Sequence, residues 1–290
     1  MNRVNLSIII PVYNEEKTVG ETISSLISKA SSLGITHEII AVNDASTDKS
    51  EGILEKFVPS IKKINHPFNK GYGASLKTGI KQSRYDWIMI MDGDGTYPVE
   101  FLPSLLKEIG QYDMVIGARD KNSKGIPSER KLAKKFLNRF AGYLAGKTVP
   151  DLNSGMRLFK KEMVLNYWDI FPDRFSFTST LTMIGLAKGY ETAFVPIDYY
   201  KRQGESSLKA KHFFNFLKLV TKLSLFFKPL KVFGPLSLLM FLGALTIPTA
   251  FLLGATDKFF DTTFVAVVAL AIQTFFFGLL AEIVIHNNRR

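Results

Sequence analysis

For about two hundred residues the chain alternates short apolar runs with amphipathic stretches, and then it becomes almost wholly apolar. Leu6–Ile10, Glu38–Val42, Ile61–Asn65, Trp87–Met91 and Met114–Gly117 have strand length and composition. Between them, Thr18–Ser32, Asp48–Phe57, Ala74–Ser83 and Glu100–Glu108 carry helical spacing. This β-α-β-α order predicts a mainly parallel, doubly wound sheet. Ligands of such sheets bind beyond the carboxyl ends of the strands. The loops Pro11–Glu16, Asn43–Asp48, Asn69–Gly73 and Asp92–Tyr97 stand at those ends. Lys121–Pro127 is polar and turn-rich and reads as a mobile loop.

The last sixty residues follow another pattern. No charged residue occurs from Val232 to Thr256, nor from Thr262 to Ala281. Each stretch reaches the roughly 20 residues that a bilayer core requires. The link Asp257–Asp261 between them suits a tight hairpin. Lys222, Lys228 and Lys231 precede the first span, and Arg289 and Arg290 follow the second. Positive-inside bias then predicts that both ends, and with them the catalytic domain, face the cytoplasm. The alternative, a buried helical hairpin in a soluble core, fits such long uncharged stretches poorly. Ser206–Pro229 places Lys211, Asn215, Lys218 and Lys222 on one helical stripe, with Phe213, Phe216, Leu217, Val220 and Phe227 around the rest. It is expected to lie at the membrane interface, apolar side in the lipid. The chain's opening residues lack the apolar core of a cleaved signal peptide. The expected organisation is a catalytic domain at residues 1–205, a juxtamembrane amphipathic helix at 206–229 and a transmembrane hairpin at 230–290.

The net charge of +11 suits anionic lipid or phosphorylated substrates as well as nucleic acid. The hydropathy favours the first two, and no nucleic-acid-binding motif is present. Absence of cysteine excludes disulfides, thiolate metal sites and cysteine nucleophiles. The four histidines show no metal-binding spacing.

The chemistry concentrates at Ile90-Met91-Asp92-Gly93-Asp94-Gly95. Two carboxylates one residue apart at a strand end repel each other unless a cation offsets the charge, and Asp oxygens suit Mg²⁺ or Mn²⁺. A cation held there can grip a diphosphate. Asn14 and the Asn43–Asp48 loop, taken singly, read as helix caps; at successive strand ends beside the Asp pair they read as a nucleotide pocket. Gly71-Tyr72-Gly73-Ala74-Ser75-Leu76 lacks the third glycine of a dinucleotide fingerprint and follows the third strand, so a Rossmann dehydrogenase is rejected. An EF-hand needs Gly and Glu where Tyr97 and Pro103 stand, and is rejected too. Arg119, Arg130, the Asp151–Arg157 stretch and Lys201–Ser206 add cations suited to phosphate oxygens.

In order, Ile8–Glu15, Asn43–Asp48, Asn69–Ala74, Asp92-Gly93-Asp94 with Pro98 and Glu100, Ile116–Arg119, Asp151–Gly155 and Arg202–Ser206 resemble the family 2 glycosyltransferases of the GT-A fold. Within these the chain is most similar to the dolichyl- and polyprenyl-phosphate sugar synthases, some of which carry a two-span anchor. The resemblance covers about residues 4 to 210. It implies that Pro11, Tyr13, Glu15, Asp44, Lys70, Gly71, Asp92 and Gly93 bind a UDP- or GDP-sugar. It implies that Asp92 and Asp94 hold the metal, and that Asp94, Asp151, Arg119, Arg130 and Arg202 serve catalysis. Arg119, Arg130, Arg202 and Ser206 would face the acceptor phosphate. Three positions depart from the family pattern: Thr96 replaces a Gln, Ser207 a Lys and Asn43 an Asp. The first places the third metal contact in question, and Lys209 or Lys211 is expected to stand in for the missing Lys. The expected reaction is inverting, metal-dependent sugar transfer to a polyprenyl phosphate at the cytoplasmic membrane face, with Asp151 positioning an Arg or the sugar. Rival readings are a transferase for another lipid or polysaccharide and a non-catalytic scaffold; the missing Gln-x-x-Arg-Trp motif speaks against a processive synthase. The sugar, the base and the state of oligomerisation, including a homo-oligomer, stay open.

Overall fold

The computed structural model describes residues 4–120, 135–136, 138–143, 146–174, 176–201, 221, 225, 228–255 and 261–287. The Lys121–Pro127 loop and nearly all of the Ser206–Pro229 segment lie outside the described residues. The chain divides into two compact units, the second formed mainly from Lys218 onward.

In the first unit the described residues form one seven-stranded sheet. Its strands are β1 (Asn5–Val12), β2 (Thr36–Asn43), β3 (Lys62–Asn65), β4 (Trp87–Ile90), β5 (Met114–Arg119), β6 (Arg157–Lys160) and β7 (Thr192–Ile197). The order across the sheet is β3-β2-β1-β4-β6-β5-β7. β1 pairs in parallel with β2 and β4, β2 with β3, and β5 with β7. Every β1 residue after Asn5 is buried. That is the signature of a central strand covered on both faces. α1 (Val19–Ser32) buries Val19, Ile23, Leu26 and Ala30, one apolar stripe at helical spacing. α3 (Tyr72–Gln82) buries Leu76 and Ile80, and its Gly79 lies so close to Ile9 that a Cβ there would collide with it. α2 (Ser50–Glu55) and α4 (Leu102–Leu106) complete the predicted helices in shorter form.

Two features depart from the sequence pattern. β6 runs antiparallel between β4 and β5, so the sheet is mostly rather than wholly parallel. Its four residues, Arg-Leu-Phe-Lys, are too few to show a period of two. After α5 (Glu162–Leu165), α6 (Phe177–Lys188) is buried at every position from Phe177 to Ala187. A helix enclosed all round has no polar face, and so it lacks the periodic signal that marks a surface helix.

The second unit contains α7 (Leu230–Leu252) and α8 (Asp261–Asn287), which pack against each other. Both are long and apolar enough to cross a membrane. At their contact Gly278 meets Phe233 closely, and a Cβ there would lie 2.7 Å from the Phe233 Cβ. The Leu230 N–H donates to Glu282 Oε2 at 3.1 Å, which satisfies one orphan donor of the α7 N-terminus. Leu238, Leu239, Phe277 and Leu280 point outward.

Candidate active site

The candidate residues gather at the carboxyl ends of β1, β2, β3 and β4, on both sides of the point where the strand order reverses. The first two loops are laced together. Asn14 does not cap α1: its Oδ1 accepts from the Thr47 N–H at 2.8 Å. In return the Ser46 hydroxyl accepts from the Asn14 N–H at 3.1 Å, and Ser50 Oγ from the Glu15 N–H at 2.8 Å. Asp48 accepts from the Glu16 N–H, and Glu16 from the Lys49 N–H. Asn14 takes a positive φ of 55° to do this, a conformation Asn tolerates well. Pro11 is buried at the end of β1, whereas Tyr13 is 46% exposed and open to a ligand.

Asp44, buried one residue past β2, organises the third loop. Its Oδ1 accepts from the Lys70 N–H at 2.9 Å and pairs with His66 Nδ1 at 2.7 Å. Its Oδ2 accepts from the Gly71 N–H at 2.7 Å. Gly71 has φ of 103° and Gly73 packs directly against the Pro172 carbonyl, so neither position admits a side chain. The Lys70 ammonium sits over the Phe68 ring at 5.6 Å.

Asp92 and Asp94 follow β4. The Tyr72 hydroxyl donates to Asp92 Oδ1 at 2.8 Å. Burial first, and then the Asp92 charge, raise the Tyr72 pKa well above the usual phenol value, so it remains a donor. Gly155 lies against the other side of Asp92, where a Cβ would fall on the carboxylate. Gly93 is buried between the two acids. Asp94 Oδ1 accepts from the Thr96 hydroxyl at 2.6 Å and from its N–H at 3.1 Å. Thr96, the departure from the family pattern, thus orients the second acid. The Gly155 N–H donates to Tyr97 Oη at 2.6 Å, which fixes the glycine beside Asp92.

The third group is built on Arg119, at the end of β5. Its Nε donates to Asp151 Oδ2 at 2.7 Å, and its Nη2 donates to Asp151 Oδ1 and Asn153 Oδ1, each at 2.9 Å. The Arg119 N–H also reaches Asp151. The guanidinium lies 5.1 Å from the Tyr199 ring centroid, and Tyr97 meets Tyr199 edge-on. Burial works against the Arg119 charge, but the oxygens of Tyr97 and Asp151 outweigh it and raise its pKa. Asp151 is fully buried. Arg157, equally buried, donates to the Ser154 and Thr178 carbonyls and to the Thr182 hydroxyl. Burial lowers its pKa to about 10, so it keeps its charge at neutral pH. Arg130, Arg202 and Ser206 lie outside the described residues.

The acid pair fits a hard divalent cation. Its donors are oxygens, each held in place by a hydroxyl, and the bare Gly155 lets the Asp92 carboxylate take up its position. Among the described residues no three acids or histidines converge on a metal site. Asp92 and Asp94 would hold such a cation, which would supply positive charge toward a diphosphate. Sequence reasoning gave no role to His66, Tyr72, Tyr97 or Tyr199. Tyr72 and Tyr97 stand in motifs the sequence shows, but a motif carries no signal of which side chain a tyrosine or histidine will face.

The solved structure of glucosyl-3-phosphoglycerate synthase from Mycobacterium tuberculosis, with Mn²⁺, uridine diphosphate and phosphoglyceric acid, has the same GT-A fold. Its TM-score is 0.60 at 16% identity, over 77% of this chain and 79% of that one. A dolichyl-phosphate hexose transferase of Haloferax volcanii is 28% identical over 207 residues, which cover 70% of this chain and 86% of the relative. A dolichyl-phosphate beta-glucosyltransferase of Trichomonas vaginalis is 29% identical over 72% of this chain and 67% of its own length. The model of glycosyl transferase family 2 matches residues 7–168, which span the laced loops, the acid pair and the Arg119–Asp151 group. With that match over more than half its length, the chain belongs to glycosyl transferase family 2 and is a glycosyltransferase.

Proposed function

We propose that the protein transfers a sugar from a nucleotide diphosphate to a polyprenyl phosphate, dolichyl or undecaprenyl, with inversion at the anomeric carbon. The observation that carries this reading is the Asp92–Asp94 pair, oriented by Tyr72 and Thr96, in a site that also holds the Arg119–Asp151 group. The names of the Haloferax and Trichomonas relatives support a lipid-phosphate acceptor.

Pro11, Tyr13, Glu15 and Asp44 bind the nucleoside, and Lys70, Gly71 and Gly93 border its phosphates. Asp92 and Asp94 would hold Mg²⁺ or Mn²⁺, which supplies positive charge to the leaving diphosphate. One oxygen of the acceptor phosphate bonds to the anomeric carbon while the bond from that carbon to the nucleoside diphosphate breaks. A phosphate monoester, with its second pKa at about 6, is already a nucleophilic anion near pH 7, so a strong base is unnecessary. The chain's task is to bring two anions together. Asp151 and Asn153 take up Arg119 Nε and Nη2 and so fix the guanidinium, whose charge offsets the repulsion between the two phosphates. Asp151 is therefore a positioning residue.

The polyprenyl tail stays in the bilayer. Residues 230–290 anchor the enzyme there through two spans, residues 206–229 lie on the surface, and residues 1–205 carry the site on the cytoplasmic side. The exposed leucines and phenylalanines of α7 and α8 support the spanning reading.

The test is transfer by the detergent-solubilised chain, given undecaprenyl or dolichyl phosphate and a panel of UDP- and GDP-sugars with Mg²⁺ or Mn²⁺. A glycolipid that disappears with EDTA and with Asp94→Asn is the expected result. Intact nucleotide binding without product from any donor would redirect the reading to another acceptor.

A further inference from the structure

We infer that the donor carries uracil rather than guanine, and that His66 sets this choice through Asp44. The inference rests on the proposed function, in which Asp44 meets the base.

A carboxylate offers about four lone-pair positions on two oxygens. At Asp44 three are taken among the described residues. His66 Nδ1 and the Lys70 N–H occupy Oδ1, and the Gly71 N–H occupies Oδ2. Because the carboxylate only accepts, His66 Nδ1 carries the proton between them, and its Nε2 shares a hydrogen bond with the Thr78 hydroxyl at 2.9 Å. Three donors from two chain segments hold the carboxylate, and Asp44 is 3% exposed, so it cannot rotate to release a second acceptor. One acceptor position, on Oδ2, is then assigned to the base.

The two bases differ in what they ask of such a group. Guanine presents N1–H and the 2-amino group side by side and is matched by both oxygens of a carboxylate at once. Uracil presents a single donor, N3–H, between two carbonyl oxygens. The one remaining acceptor satisfies uracil. It leaves one guanine donor without its partner in a desolvated pocket, a penalty that corresponds to roughly tenfold or more in affinity. His66 is the decisive donor, because it is a side chain: the Lys70 and Gly71 N–H groups are main chain and stay in place under substitution.

The experiment measures UDP and GDP binding to the full-length chain in detergent micelles with Mg²⁺, by calorimetry. UDP should bind at least roughly tenfold more tightly than GDP. His66→Ala should narrow that gap by strengthening GDP relative to UDP, while His66→Gln, which still donates to Oδ1, should keep it. GDP binding as tight as or tighter than UDP in the unsubstituted chain would overturn the inference and leave the transferase reading intact. An unchanged ratio in His66→Ala would remove His66 from the explanation. Neither nucleotide binding to folded protein would overturn the proposed function itself, and this inference with it. If His66→Ala does not fold, His66→Phe, which fills the ring's space but donates nothing to Asp44, replaces it: a narrowed gap supports the inference and an unchanged one removes His66.

Discussion

Single atoms decide what the acid pair can do. The Tyr72 hydroxyl holds Asp92 Oδ1, and Tyr72→Phe removes that bond while keeping the ring. Loss of a group that orients a metal-binding carboxylate costs about 10- to 100-fold in metal affinity. Tyr72→Phe should therefore raise the Mg²⁺ concentration for half-maximal transfer by at least roughly tenfold, with little change in melting temperature. An unchanged Mg²⁺ titration would separate Tyr72 from the site. Asp151 holds Arg119 by a two-point fork from full burial. Asp151→Asn should cut turnover on the order of 10²-fold at every pH, because a misaimed group is not restored by titration. Rescue at high pH would instead assign Asp151 a proton-transfer role.

Strands and helices position these atoms through contacts at their ends. Asp113, just before β5, accepts from Lys160 at the end of β6 and from the Glu191 N–H before β7. One carboxylate thus joins three strands. Burial pushes the Asp113 pKa up, but the Lys160 ammonium and the Glu191 N–H outweigh it, and the net shift is downward. A carboxylate with a depressed folded pKa adds stability above its unfolded value of about 3.9. That stability disappears as pH falls through the lower, folded pKa. Asp113→Asn should accordingly lower the melting temperature at pH 7, and the difference from the unsubstituted chain should shrink toward zero below pH ~3. A difference that persists undiminished in acid would refute the linkage. The hairpin uses another device: Gly278 lets α8 approach Phe233 of α7, the small-residue contact common in membrane helices.

For the molecule as a whole, the proposed attachment through α7 and α8 predicts behaviour that a surface-bound protein does not show. The full chain should stay with the membrane pellet through high salt and alkaline carbonate and leave only with detergent. Release by salt alone would reduce the attachment to charge. The +11 charge adds an electrostatic contribution toward anionic lipid that salt weakens, whereas apolar burial in the bilayer is insensitive to it.

Local physics makes part of this protein legible from its sequence. Leu6–Ile10 and Trp87–Met91 show as strands because burial on both faces selects continuous apolar runs, and α1 shows because its apolar stripe has helical period. The two long apolar helices α7 and α8 show because uninterrupted apolar stretches of that length stand out in any chain. The acid pair shows because two carboxylates so close in sequence are costly without a cation. Tertiary structure alone decided the rest. β6 is too short to announce itself, and α6 loses its period by being buried all round. His66 reaches Asp44 across 22 residues and Tyr72 reaches Asp92 across 20. Gly155 becomes necessary only because β6 returns the chain alongside β4 and sets it against Asp92. Sequence patterns record the demands of neighbours along the chain and of solvent. The partner of a buried polar atom is set by which segments the sheet brings together.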